Sequence, residues 1–233
     1  MSNIRLFFSA TLSSEMIEKL DKSQSHYLTK VMRVKENEVF SLFNKDGEWE
    51  AKIIGISKNI VEFKTIKQLR QKENTKEIWL AFSPIKSNYQ NFMIQKATEL
   101  GITKFLPIIF DRTIVKKINK ERLEKIVIEA SEQSNRINIP TLEDTQNLNN
   151  FLKIDKMNLV FTDLNSQNKN INASKFSGDP VCIIVGPEGD FSDSEREKIL
   201  NFKDVQSLKI NDNILRTETA VISTISIVNY AIN

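Results

Sequence analysis

Two stretches of the chain place polar groups at strand ends, where an open α/β sheet binds ligands. The first runs Ile183-Ile184-Val185-Gly186-Pro187-Glu188-Gly189-Asp190-Phe191-Ser192. A short β-branched run ends abruptly at Gly-Pro-Glu-Gly, where two glycines and a proline permit a sharp turn. Ser192 and Glu195 then form an S-x-x-E capping box, which predicts a helix from about Asp193. The second stretch, Asn211-Asp212-Asn213-Ile214-Leu215-Arg216-Thr217-Glu218-Thr219-Ala220, passes from turn formers to a compact Arg-Thr-Glu-Thr group. That group falls where the first amides of a helix lack partners. Each stretch also has a plain reading: an ordinary connection, a Thr217 or Thr219 cap, and Arg216 paired with Glu188 or Glu218.

Several other chemistries are excluded by what the residues cannot build. The six glycines fit neither G-x-G-x-x-G nor G-x-x-x-x-G-K-[ST], which argues against a P-loop and against a Rossmann-type nucleotide or S-adenosylmethionine site. One histidine, His26, and one cysteine, Cys182, supply neither a zinc site nor a Cys/His dyad. No G-x-S-x-G elbow is present. Cys182 lies inside an apolar run and reads as a small core residue. Cations alternate with aromatics in Arg5-Leu6-Phe7-Phe8 and around His26, Tyr27 and Arg33, a mixture suited to nucleic acid. Phe7, Phe8 and Tyr27 read equally as barrel core.

The elements that must position these residues fall into two regimes. Over residues 1–70, strands are expected at Ile4–Phe8, Glu38–Phe43, Glu48–Ile56 and Ile60–Ile66. A turn at Asn44-Lys45-Asp46-Gly47 and a short helix over Ser25–Met32 complete a small barrel. Polar Lys67–Lys76 reads as a linker. Beyond it, strands and helices alternate, as in a layered fold with a mostly parallel sheet. Strands are expected at Ile78–Phe82, Lys104–Phe110, Met157–Thr162, Val181–Val185 and Val205–Ile210. Helices are expected at Asn88–Leu100, Lys120–Ser134, Asn147–Leu152, Ser192–Asn201 and Thr217–Ile232. Asn165–Asn172 reads as a flexible loop.

Among the 233 residues, 40% are apolar and 27% charged, the composition of a soluble globular protein. The net charge of +3 sits entirely in residues 1–70, with 12 Lys/Arg against 9 Asp/Glu, compatible with a polyanion-facing module. No apolar run approaches the ~20 residues of a membrane span. The N-terminus has no signal-peptide pattern. A cytoplasmic protein is expected, with no membrane and no metal.

Taken together, further segments resemble one family. RLFF at 5–8, HYLTKVMR at 26–33, Lys86, IQKATELG at 94–101, DRTIVK at 111–116, EASEQSNR at 129–136, VGPEGDFSDSE at 185–195 and ILRTETA at 214–220 run nearly end to end. The chain resembles the bacterial RsmE-type 16S rRNA uridine-N3 methyltransferases, a branch of the knotted SPOUT methyltransferases. The resemblance implies a PUA-like RNA-binding β-barrel at 1–70 and a SPOUT α/β trefoil-knot methyltransferase domain at 71–233. It also implies a homodimer acting on 16S rRNA or the small ribosomal subunit. S-adenosyl-L-methionine is the implied cofactor, held by three loops. Those contain Thr162, Asp163 and Leu164; Val185, Gly186, Pro187, Glu188 and Gly189; and Ile210, Asn211, Ile214, Leu215, Arg216, Thr217 and Ala220. Arg5, His26, Arg33, Arg112 and Arg136 are the expected RNA contacts. Arg216, with Arg136 or Arg5 of either subunit as alternatives, would stabilise the developing uridinate, and Glu188 or Glu218 would accept the proton or else orient Arg216 or the donor ribose. Two departures stand out: Asp190 replaces a usual glycine, and Ile210-Asn211 replaces Leu-Gly, with Asn211 expected to tolerate a left-handed turn. The other readings are a non-catalytic RNA-binding or ribosome-assembly protein, and a knotted methyltransferase acting on a different RNA atom.

Overall fold

The computed structural model describes residues 4–72, 75–176 and 178–232. Its contacts divide the chain into two compact units, residues 1–74 with 131–139, and residues 75–130 with 140–233.

The first unit is built on five strands: β1 (Arg5–Phe7), β2 (Ile17–Lys19), β3 (Val39–Asn44), β4 (Gly47–Ser57) and β5 (Ile60–Gln71). They lie in the order β1-β3-β4-β5-β2, antiparallel except for the β1–β3 pair. Alternate residues such as Leu6, Leu42, Ile53 and Phe63 face one core, which Leu28 also enters. Three register shifts interrupt the β4–β5 ladder, and such bulges bend long strands so that they can wrap a small core. The β3–β4 turn forms as its sequence predicts: Asn44 Oδ1 accepts the Asp46 N–H at 2.9 Å, and Gly47 adopts φ 136°. A Cβ at Gly47 would stand 2.4 Å from the Arg70 carbonyl oxygen, so only glycine fits.

Three expectations change here. The helical piece begins earlier, as α1 (Lys22–His26) capped by Asp21, and continues into a π turn at Tyr27–Val31. Strand β2 has no clear alternating pattern, all three of its residues being exposed, and the sequence reading missed it. The expected linker at Lys67–Lys76 is partly strand, because β5 keeps pairing with β4 as far as Gln71. Residues 73 and 74 of that segment lie outside the described residues.

The second unit alternates strand and helix: β6 (Ile78–Phe82), α2 (Ser87–Glu99), β7 (Lys104–Ile109), α3 (Lys120–Gln133), β8 (Thr141–Leu142), β9 (Gln146–Asn147), α4 (Leu148–Phe151), β10 (Asn158–Thr162), β11 (Val181–Val185), α5 (Asp193–Leu200), β12 (Gln206–Leu208) and α6 (Thr217–Ile232). The sheet runs β12-β10-β11-β6-β7-β8, every pair parallel, with β9 against β7. Every residue of β6 and β11 is buried, which explains their continuous apolar runs: helices cover both faces of a parallel sheet. Cys182 is fully buried in β11, and burial pushes its thiol pKa up, as befits a core residue. Because the strands are parallel, the carboxyl ends of β6, β10, β11 and β12 lie along one edge.

The Asn165–Asn172 segment is pinned rather than free. Ser166 Oγ lies 3.0 Å from Ser207 Oγ, Asn168 Nδ2 donates to the Ser207 carbonyl, and Asn168 accepts the Lys209 N–H at 2.8 Å. Its Asn and Ser side chains satisfy nearby backbone groups, a habit that composition alone reads as looseness.

Candidate cofactor cavity

The loop after β11 is shaped by one aromatic ring. Phe191 packs edge-on against Phe110 and Phe161, with centroids 5.0 and 5.1 Å away. A Cβ on Gly186 would lie 2.6 Å from that ring, so glycine is required where strand becomes turn. The Asp190 N–H closes the turn on the Pro187 carbonyl at 3.0 Å. Asp190 itself sits at φ 62°, a left-handed position that glycine adopts freely and aspartate tolerates. Its Oδ1 accepts the Phe191 N–H at 2.8 Å.

Helix α5 then begins at Asp193 with both halves of the capping box made. Ser192 Oγ also donates to Asp111 at 2.6 Å, while Glu195 accepts the Asp111 N–H at 2.8 Å. Arg112 Nη1 donates to the Gly189 carbonyl at 3.0 Å. The turn is therefore anchored at both ends.

The other two loops are held by charge pairs. Asp163 is buried after β10, where Arg196 grips both carboxylate oxygens at 3.1 and 2.8 Å, and that hydrogen-bonded pairing raises the Arg196 pKa. After β12, Lys169 and Lys209 bracket Asp212 at 2.9 and 3.2 Å, and the bond to Lys169 leads in holding its carboxyl pKa low. Asn211 does not turn left-handed as expected. Its Oδ1 instead accepts the Asn213 N–H at 2.8 Å, a side-chain substitute for the backbone turn. The Arg216 carbonyl accepts the Ala220 N–H at 2.8 Å, opening α6.

These loops enclose a cavity of about 480 Å³. Thr162, Asp163, Leu164, Val185, Gly186, Pro187, Glu188, Ile210, Asn211, Ile214, Leu215, Arg216, Thr217 and Ala220 all line it. Gly189 is the one member of the expected set that does not; its carbonyl faces Arg112 instead. Lys86, Tyr89, Asp190, Phe191, Leu208, Asn213 and Glu218 also line the wall and stand outside the expected donor-binding set, although Asp190, Asn213 and Glu218 lie within the stretches singled out in the sequence. Lys86 and Tyr89 come from the start of α2, more than seventy residues before the loops in sequence, and in the sequence Lys86 carries only the family resemblance. Arg216 is exposed, its guanidinium carbon 5.5 Å from the centroid of the Tyr89 ring. Among the described residues it forms no ion pair with Glu188 or Glu218.

Such a cavity suits a nucleoside-sized ligand with one flat apolar part and several polar groups. Ile210, Ile214, Leu208 and Phe191 offer apolar wall, while Glu188, Asp190, Thr162 and the glycine-turn backbone offer polar atoms. The donor set contains nothing that requires a phosphate.

The expected RNA contacts divide. Arg5 is a correction: it is buried, and all five N–H donors are taken, by Glu48 at 3.0 and 3.1 Å and by the carbonyls of Ser131, Glu132 and Arg136. No donor is left for a phosphate. His26 and Arg33 are exposed in the first unit, Arg33 at φ 57°. Arg136 is half-buried, and burial pushes its guanidinium pKa down to about 10, which leaves it charged at neutral pH. Arg112 is exposed in the second unit and engaged with Gly189.

Comparison with known proteins agrees with this geometry. Residues 72–229 match the RNA methyltransferase domain family, and residues 20–66 match the RNA methyltransferase PUA domain. A Ribosomal RNA small subunit methyltransferase E from Rickettsia conorii is 36% identical, covering 95% of this chain and 93% of the relative. The same-named protein of Buchnera aphidicola subsp. Schizaphis graminum is 30% identical over 95% and 94%. The crystal structure of a Ribosomal RNA small subunit methyltransferase E from Neisseria gonorrhoeae, bound to S-adenosyl methionine, superposes with a TM-score of 0.88 at 27% identity, covering 96% of this chain and 95% of that one. A Legionella pneumophila putative methyltransferase in complex with the same cofactor gives 0.87 at 27% identity, over 99% and 98%. With its parallel sheet, its PUA-like N-terminal unit and these relatives along its whole length, the chain belongs to the RNA methyltransferase family, alongside the ribosomal RNA small subunit methyltransferases E.

Proposed function

We propose that the protein is an S-adenosylmethionine-dependent methyltransferase that modifies N3 of a uridine in the decoding region of 16S rRNA. The observation that carries this reading is the convergence of three strand-end loops, far apart in sequence, on one cavity of suitable size and lining. When bound there, S-adenosylmethionine supplies an electrophilic methyl on its sulfonium. The chain's residues do the rest. Ile210, Ile214, Leu208 and Phe191 would hold the flat part of the donor, and the Gly186–Glu188 part of the turn would present backbone to it. Uridine N3 faces the pairing edge and carries a proton, so the base is unpaired or extruded before attack. Arg216, exposed at the cavity wall, stabilises negative charge on the uridine oxygens as the N3 proton leaves. Glu188, also exposed at the wall, accepts that proton. The N-terminal unit holds RNA through exposed polar side chains such as His26 and the Arg33 guanidinium. Orientation of donor and base accounts for much of the acceleration.

The reading includes a homodimer and a cytoplasmic location, where ribosomal RNA is found. Helices α2 and α6 pack together and leave Phe92, Tyr89 and Tyr230 exposed at 47%, 41% and 91%. Exposed apolar side chains on a shared pair of helices support an interface between two copies of the chain. Two experiments test the whole. Mass-spectrometric mapping of 16S rRNA from a strain lacking the gene should show loss of N3-methyluridine; its persistence rejects the substrate. Sedimentation of Phe92→Glu should show a weakened dimer, and an unaltered one removes this face from the interface.

A further inference from the structure

The cavity wall carries four carboxylates, and their surroundings differ. Asp163 is neutralised by Arg196, and Glu188 is exposed to water, which screens it. Glu218 lies in the first turn of α6, where the helix amides balance it. Asp190 is half-buried, and among the described residues it has no ion-pair partner within 4 Å; Arg196, already bonded to Asp163, acts on it only through space. It also holds a left-handed backbone, φ 62°, at a turn position where glycine would cost least. Retention of a side chain in a sparsely populated conformation points to a use for that side chain.

The chemistry proposed for this cavity changes the charge inside it. Methyl transfer breaks the sulfonium S–CH3 bond and forms the N3–C bond, while the N3 proton passes to a base. The donor's positive sulfur becomes a neutral thioether. We propose that Asp190 is a specificity-determining residue whose carboxylate favours the sulfonium donor over the thioether product, so that the product is released once the charge has gone. The inference rests on the proposed function. The competing structural role is local: Asp190 precedes α5 and its Oδ1 accepts the Phe191 N–H, so it could serve only to order the turn.

Asp190→Asn separates these roles, because asparagine keeps the left-handed tolerance and the Oδ1 acceptor while removing the charge. Calorimetric titration of the full chain with S-adenosylmethionine and with S-adenosylhomocysteine is the measurement. The expected result is donor affinity about fivefold weaker in Asp190→Asn with product affinity altered by less than about twofold, the scale of one charge acting across a small, partly wet cavity. Asp190→Gly should show the same loss of discrimination. Equal weakening of both ligands, or no change in either, overturns the proposal. A wild-type chain that binds neither ligand overturns the functional reading itself, and this inference falls with it.

Discussion

Arg5 and Arg216 look alike in the sequence, each a lone cation beside apolar residues in a segment that matches the family. The structure treats them in opposite ways. Arg5 is buried in the first unit, with its guanidinium carbon 4.3 Å from the centroid of the Phe43 ring and each N–H given to Glu48 or to one of three carbonyls. Arg70 joins Glu48 at 3.3 Å and the Asn135 carbonyl at 2.9 Å, so the hub satisfies backbone acceptors around residues 131–136. Among the described residues Arg216 forms no ion pair; the Tyr89 ring stands beside it, and it lines the cavity. A cation whose donors are consumed holds a fold together; one whose donors are unspent can act on a ligand. Satisfaction of hydrogen-bonding capacity, more than charge, separates the two.

Mutating each should expose the difference. Arg5→Ala leaves the buried Glu48 with Arg70 as a weaker partner and strips three carbonyls of their donor, and should lower unfolding free energy by about 3 kcal/mol, read by urea denaturation. Arg5→Lys should recover little, since an ammonium cannot reproduce the planar fork. A loss below about 1 kcal/mol would erase the contrast, since surface pairs contribute that little. Arg216→Ala should leave the melting temperature and the dimer intact while cutting turnover about 10²- to 10³-fold, as for loss of one charge-stabilising donor. Full activity in that variant removes Arg216 from the mechanism.

Gly186→Ala sets a Cβ 2.6 Å from the Phe191 ring and should cost about 1–3 kcal/mol by overpacking, with weaker donor binding in the same titration. Phe191→Leu in the same chain should restore part of that loss; if it restores none, the ring is not what demands glycine. The smallest effect is expected for Arg112→Ala. Losing one exposed bond to Gly189 should cost no more than about 1 kcal/mol and shift donor affinity a few-fold. A variant that loses RNA binding with donor affinity unchanged would instead return Arg112 to the RNA surface.

Local signals were readable wherever the physics is local. Ser192 and Glu195 announced the start of α5, since a capping box needs only residues three apart. The buried runs of β6 and β11 and the length of α6 followed from apolar pattern, and the Asn44–Gly47 turn from its residue types. The two polar stretches were located at strand ends, and the family resemblance supplied their ligand. Contacts between remote segments were not readable. Nothing near Arg5 in sequence indicates Glu48 or the carbonyls of residues 131–136, and nothing in Lys86 or Tyr89 indicates a place on the cavity wall. The left-handed backbone of Asp190 and the side-chain turn at Asn211 likewise depend on how each loop is anchored, by Phe191 and Arg112 in one case and by Lys169 and Lys209 in the other. Sequence by itself settled which residues turn, cap and pack, because those preferences reside in a few adjacent side chains. Tertiary structure alone decided which charges are consumed and which remain available, because satisfying a buried donor takes partners that only the folded chain brings together.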